Sequence, residues 1–334
     1  MWRRTVSRTS EAGHGTGAMG LRKIATAAAL IVMAAAALAL LAPYVCAEYA
    51  LRRHGDLVGP PPTQQIRGRW FDDYFLIENI DDTTFAIGEP RYYQGNYSYL
   101  LIGSDRAVLF DAGTGNRDIL PVVRSLTSLP VTVLPSHLHF DHVGALGRFD
   151  RTALLDVDSL KHRARDGHLT LGRYEFLGFA DSLPARRFAV DEWWSPGTSI
   201  DLGGREIRVL STPGHTPTSA SLYDAKRRQL FAGDFIYPGQ LYAFLPGASR
   251  SAYLSTTRRL LAMLDPTTPL YTAHMADDAS LVSAPVLKVS DLRALEAALV
   301  KIEAGESTPT GFYPRIFPVQ GLMTFATGFA WNNR

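Results

Sequence analysis

The chain has one cysteine in 334 residues, Cys46, and that scarcity sets the first limit on its chemistry. No intramolecular disulfide can form, and because Cys46 falls in an apolar N-terminal segment, no thiolate is on hand as a ligand in the folded part. Any metal must therefore be held by His, Asp and Glu. An excess of one charge is lacking too: the formal net charge is +2, with no run of five or more basic residues outside the N-terminal leader, so the chain shows no electrostatic footprint of a nucleic-acid binder. After Ala50 there is no internal repeat and no low-complexity tract. With 46% hydrophobic and 20% charged residues, the composition excludes disorder and allows one large domain or two small ones.

One absence is local. From Ile24 to Ala47 the sequence carries no charge for 24 residues, a helix length of ~36 Å against a bilayer core of ~30 Å. Signal-peptide apolar cores run only about 7–15 residues, so an uncleaved membrane anchor is expected, with a cleaved leader as the alternative. Arg3, Arg4, Arg8, Arg22 and Lys23 precede the segment and keep the N-terminus cytoplasmic. The expected organisation is a cytoplasmic leader over 1–23, a transmembrane segment over 24–47, a linker over 48–64 stiffened by Pro60-Pro61-Pro62, and an exported domain over 65–334, periplasmic or extracellular.

Within that domain, SYLLIG (98–103), AVLFDAG (107–113) and VTVLPS (131–136) read as buried strands, and RDILPVVRSLT (117–127) as a helix. Further strands are expected in REIRVLSTPGHT (205–216), SASLYD and QLFAGDF (219–235), and helices in AYLSTTRRLLAML (252–264) and VSDLRALEAALVKIEAG (289–305). The alternation fits two sheets covered by helices or a single doubly wound sheet. The aromatic tail from Gly311 reads as a final packed strand.

Three of the nine histidines lie in LPSHLHFDHVG, as His137, His139 and His142 around Asp141. On an extended strand end, residues two apart share a side, so His137 and His139 can hold one metal, and the turn after Phe140 brings Asp141 and His142 beside them. Imidazole and carboxylate donors suit Zn²⁺, with Mn²⁺ or Fe²⁺ as alternatives. His14, His54, His162 and His168 are isolated and take no role.

HLHFDH resembles the metal motif of the metallo-β-lactamase superfamily, and the rest of that pattern follows in order: DAG at Asp111 to Gly113, STPGHT with His215, LFAGD with Asp234, and LYTAH with His274. The resemblance covers roughly Phe75 to Met275. It implies an α/β fold, an αββα four-layer sandwich preceded here by the transmembrane helix, with two Zn²⁺ at one edge of the sheets. It assigns His137, His139 and His215 to one metal, Asp141, His142 and His274 to the other, and Asp234 to both. Ala273 stands where the family usually has glycine before the last histidine. Aspartate at 234, where true β-lactamases generally have cysteine or serine, resembles the hydroxyacylglutathione hydrolase side of the family.

A metal-bridged hydroxide in such a site attacks carbonyl carbon without a protein nucleophile, so the expected function is hydrolysis of a thioester, ester or lactone of a small-molecule substrate, with Asp141 orienting the hydroxide. Phe235, Tyr237, Tyr242 and Phe244 follow Asp234 closely enough to line the site, and Tyr237 is a candidate donor to a carbonyl oxygen. Leu160 to Trp194, rich in aromatics, is expected to be a helical cover, with Arg186 and Arg187 as candidate partners for an anionic leaving group. The alternatives are a β-lactam hydrolase, a mononuclear-iron persulfide dioxygenase of the same fold, and a non-catalytic membrane-tethered metal-binding module.

Overall fold

The computed structural model describes residues 16–52, 56–184, 186–276 and 279–328. Most of the expected leader, together with His14 and His54, lies outside them, as do the last residues of the tail. The chain divides into two compact units, Met1–Ala42 and Pro43–Arg334. The first holds most of a helix, Thr16–Leu51, whose stretch from Arg22 is long and apolar enough to cross a membrane. The boundary falls at Pro43, which lacks the N–H of an interior helical residue. The structure differs here from the composition: Ala47 is fully buried in the core of the second unit, and Cys46 packs against the Tyr313 carbonyl. The compact unit thus begins 22 residues before Gln65, within the run assigned to the membrane. The 19 residues from Ile24 to Ala42 would still reach ~28 Å as helix, close to the bilayer core.

The second unit has two main sheets. The larger runs, in spatial order, through Glu192–Trp194, Arg151–Leu155, Val131–Leu134, Ala107–Phe110, Asn96–Ile102, Thr84–Glu89, Leu76–Asp81 and Arg69–Trp70. The other runs through Ser199–Asp201, Glu206–Ser211, Ala220–Asp224, Gln229–Gly233, Pro269–Thr272 and Val286–Lys288. Period-two alternation sorts their side chains into separate cores. Val108 and Phe110 face Val209, Leu222 and Phe231 between the sheets. Ala107 and Leu109 point the other way, onto Val122 and Val123 of the helix Leu120–Leu126. On the far side of the second sheet, Leu230 and Ala232 meet Leu254 and Leu260 of the helix Arg250–Met263 and Leu292, Leu295 and Leu299 of Val289–Ala304. The result is helix, sheet, sheet, helix, an αββα sandwich rather than a single doubly wound sheet.

Both long helices follow local rules. Ser249 caps the first, its hydroxyl accepting from the Ala252 amide at 3.2 Å. Gly305, at φ 73°, ends the second in the left-handed conformation a C-terminal cap favours. The tail forms a hairpin, Arg315–Gln320 with Met323–Thr327. The segment 160–194 is only partly helical: short turns at Arg173–Phe176 and Gly178–Asp181 alternate with a two-stranded ribbon, and Glu192–Trp194 is an edge strand of the larger sheet.

Candidate metal centre

Every candidate ligand follows the C-terminal end of a strand, and the three such strands of the second sheet run in one direction. Val131–Leu134 leads to His137, His139, Asp141 and His142, Glu206–Ser211 to His215, Gln229–Gly233 to Asp234, and Pro269–Thr272 to His274. Two backbone devices bring these ends together. Asp111 sits at φ 68°, a costly left-handed conformation for a residue with a Cβ, and from there its carboxylate accepts the Ser136 amide at 2.5 Å and lies 3.0 Å from His142 Nδ1. Gly233, at φ 53°, packs so closely that a Cβ would lie 2.5 Å from Ser136 Cβ, so only glycine lets Asp234 approach the histidine loop.

The seven candidate ligand residues are brought together and buried. His139 Nδ1 lies 2.8 Å from His137 Nε2 and 3.0 Å from His215 Nε2. The outer nitrogens are held: His215 Nδ1 faces the Tyr242 carbonyl at 2.9 Å and His274 Nδ1 the Gln94 carbonyl at 3.2 Å, so the proton of each neutral ring belongs there and the Nε2 lone pair points inward. Burial pushes His137, His139 and His215 below the ordinary histidine pKa, and neighbouring imidazoles push the same way. Three neutral rings thus aim nitrogens at one point, where a single proton cannot satisfy all of them.

The second group is electrostatically the reverse. His142 and His274 are shifted upward despite burial, because Asp141, Asp234 and Asp111 surround His142 and Asp234 faces His274. Burial opposes ionisation of Asp141 and Asp234, but His142 and His274 outweigh it and hold both carboxyls below the usual range. Asp234 reaches both groups: Oδ1 lies 3.3 Å from His142 Nε2, and Oδ2 lies 3.1 Å from His274, 3.7 Å from His215 and 4.0 Å from His137. His142 Nε2 and Asp234 Oδ1 are buried and face each other without a hydrogen bond. Converging lone pairs and buried carboxylates fit cations, and the nitrogen and oxygen donor types fit zinc.

Other expectations fare differently. Tyr237 lines the cavity over the centre and its ring lies edge-on to His274 at 5.2 Å, but its hydroxyl donates to the Gln240 carbonyl. Its proton goes here to the backbone rather than toward the centre, where the sequence makes it a candidate donor to a substrate carbonyl. Tyr242 also lines the cavity, whereas Phe235 is buried against Tyr253. Arg186 and Arg187 line a separate cavity with His168 and Phe188, and neither borders the metal-centre cavity. The anion-binding role expected of them there is not supported by this geometry. A residue the sequence reading missed is Asn96, whose Nδ2 donates to both Asp141 Oδ2 and the Asp141 carbonyl, at 3.0 and 3.1 Å. A lone asparagine 45 positions from its partner carries no pattern that would single it out.

Residues 92–284 match the metallo-beta-lactamase superfamily, and the chain belongs to that family. It is 30% identical over 216 residues to the human and bovine proteins named acyl-coenzyme A thioesterase MBLAC2, covering 58% of this chain and 77% of theirs. It is 28% identical over 185 residues to the hydroxyacylglutathione hydrolase of Aeromonas hydrophila, covering 54% of this chain and 62% of that one. Among solved structures, a metallo-beta-lactamase from Pontibacter korlensis superposes with a TM-score of 0.51 at 16% identity, over 68% of this chain and 99% of that one, a likeness of fold alone. The protein is a metallo-hydrolase of this superfamily.

Proposed function

We propose that the protein hydrolyses a thioester or related activated ester, lactones included, with two Zn²⁺ ions held by His137, His139 and His215, by Asp141, His142 and His274, and by Asp234 between them. The observation that carries this reading is the position of Asp234, whose two oxygens lie within 4.0 Å of histidines from both groups. Zinc in such a site lowers the pKa of a bound water to about 7 and polarises a carbonyl. Overall, water adds to the acyl carbon, the carbon–sulfur bond breaks, and a carboxylic acid and a thiol leave. The chain's own part is orientation. Asn96 fixes Asp141, whose carboxylate aligns the water, and the outer contacts to Ser136, Asp111, Tyr242 and Gln94 set the imidazole rings. The relatives named thioesterase and hydroxyacylglutathione hydrolase support this substrate class.

The second group is as buried as the first, which favours two metals over the single iron of a persulfide dioxygenase. Elemental analysis of the purified chain, paired with thioester, lactone and β-lactam substrates, tests the reading. We expect two zinc equivalents and thioester turnover lost on chelation. Rapid β-lactam turnover with no thioester or lactone hydrolysis overturns it, and metal bound without any hydrolysis makes the protein a binding module. We further infer a single-pass anchor with the catalytic unit outside the cytoplasm. A reporter fused after Arg334 should then be active only in the exported compartment, and release of a shortened soluble protein would instead support a cleaved leader.

A further inference from the structure

A second cavity, of about 620 Å³, adjoins the metal-centre cavity and shares His139 with it. Its character is different. Tyr44, Leu138, Leu171, Tyr174, Pro217 and Pro246 make its walls. The two arginines at its rim are already paired: Arg163 meets both oxygens of Glu175, at 2.8 and 2.6 Å, and Arg173 meets Glu48 at 2.6 Å with its guanidinium 4.7 Å from the Phe179 ring centre. An anion entering here finds no uncommitted positive charge, whereas an apolar group finds carbon on several sides. One wall comes from the last turns of the N-terminal helix, latched to the 171–175 segment by the Glu48–Arg173 pair and by the Tyr44 and Tyr174 rings, edge to face at 4.7 Å.

We infer that this cavity is the acyl-chain subsite of the hydrolase, holding an extended aliphatic chain whose carbonyl end lies at His139, and that the charged leaving group therefore exits through the metal-centre cavity. This rests on the thioester reading above and adds the part of the substrate that determines selectivity. Each methylene transferred from water to an apolar wall contributes ~0.8 kcal/mol, so kcat/KM should rise about three- to fourfold per methylene until the cavity is filled. A leaving-group subsite would give no such dependence.

The test uses the purified full chain, zinc-loaded, with acetyl, butanoyl, hexanoyl, octanoyl and decanoyl thioesters of one thiol, and the matching thioethers, which cannot be cleaved, as binding probes. Tyr44→Ala opens the latched wall. Gly172→Leu adds bulk at a lining position where a Cβ meets nothing nearer than Glu175, at 3.9 Å. Circular dichroism and zinc content establish that both variants are folded and loaded. The expected result is a steep rise with chain length in the parent, and an octanoyl-to-acetyl ratio of kcat/KM reduced at least tenfold in both variants. Flat chain-length profiles with active enzyme overturn the subsite and leave the hydrolase reading standing. Absence of turnover across the series overturns the hydrolase reading, and thioether affinities that still lengthen with the chain and weaken in Gly172→Leu would then sustain the cavity as an acyl-binding site.

Discussion

Two buried polar clusters sit at opposite ends of the sandwich and are built on opposite rules. Where Ile102 pairs with Ala107, Arg205 is 3% exposed and every guanidinium nitrogen has a partner: Nε donates to Asp224 at 2.9 Å, Nη1 to the Thr83 carbonyl at 2.8 Å and Nη2 to Thr84 Oγ1 at 2.8 Å. At the other end of the same strand, beyond Phe110, five histidines and the aspartates 111, 141 and 234 face one another, with lone pairs converging and with His142 Nε2 and Asp234 Oδ1 in charge contact at 3.3 Å but without a hydrogen bond. The first cluster saturates itself and joins the two sheets, since Thr84, with Thr83 in the turn before it, belongs to one and Asp224 to the other. The second is incomplete without something from outside the chain. A buried polar network lacking its last partners is costly in a low-dielectric interior. A cation held at this end would supply the missing partners.

The sharpest way to break this contrast is to remove the residue that reaches both halves of the incomplete cluster. Asp234→Ala should abolish turnover and reduce bound zinc, because it removes a candidate ligand and the charge partner of His142 and His274 together. His139→Ala should do the same, while His168→Ala, whose ring bonds the Asp166 carbonyl away from the centre, should do neither. Unchanged metal content in both ligand variants would dismantle the ligand assignment.

The saturated cluster should respond in stability and leave metal alone. Asp224→Ala strands a buried guanidinium, a loss of about 3–5 kcal/mol, visible as an earlier denaturant midpoint with zinc per folded molecule held constant. An equal loss of zinc would mean the two ends are not independent.

The comparison also has a pH signature in chelated protein. Burial holds His137, His139 and His215 below about 6.5, so as pH falls through that value the unfolded chain takes up protons that the folded protein refuses, and stability drops. His142 and His274 are shifted upward by the facing aspartates despite burial, so their contribution is present below about 6.5 and is lost as pH rises through their folded values. Metal-free stability should therefore peak near pH 6.5, with each fully shifted histidine contributing a slope of ~1.4 kcal/mol per pH unit. Denaturant melts in chelator from pH 5 to 9 would read it, and a monotonic profile would contradict the split between the two groups.

The two clusters were unequally legible. The candidate metal centre was readable as a cluster because its information is chemical and local: a donor-rich run of six residues, then donors at glycine-shaped strand ends. Arg205 carries no such mark, since its partners Thr83 and Thr84 are 122 and 121 positions away and an arginine between two strands looks like any exposed turn residue. The same limit explains the helix. Residues 43–47 are as free of charge as the run before them, and only the packed unit shows that Ala47 belongs to a protein core. It explains Arg186 and Arg187 too, which follow an aromatic stretch in sequence yet line another cavity. Strands and long helices were legible because alternation and capping act within a few residues, whereas the direction of a loop is set by whatever it packs against.

Asn96 tests whether orientation of Asp141 matters apart from ligation. Asn96→Ala should keep zinc but lower kcat by about 10–100-fold, the usual cost of losing a partner that orients a ligand. Asn96→Asp, which places a carboxylate against Asp141, should be worse. Full kcat in Asn96→Ala would confine this contact to packing.

The smallest expected effect discriminates most finely, because Tyr237 sits in the cavity of the incomplete cluster yet behaves like a member of the saturated one. Its ring is held against His274, its hydroxyl is bonded to the Gln240 carbonyl, and burial together with Asp234 raises its pKa far above the ordinary tyrosine value, so it neither ionises nor offers a second proton. Tyr237→Phe should therefore lose about 0.5–1.5 kcal/mol of stability, one buried hydrogen bond, while kcat/KM changes by less than about threefold, within what a repacked wall accounts for. A hundredfold fall in kcat with zinc and folding intact would mean that the hydroxyl leaves Gln240 when substrate binds and donates to the carbonyl after all. That outcome would move Tyr237 from the cavity wall into the reaction.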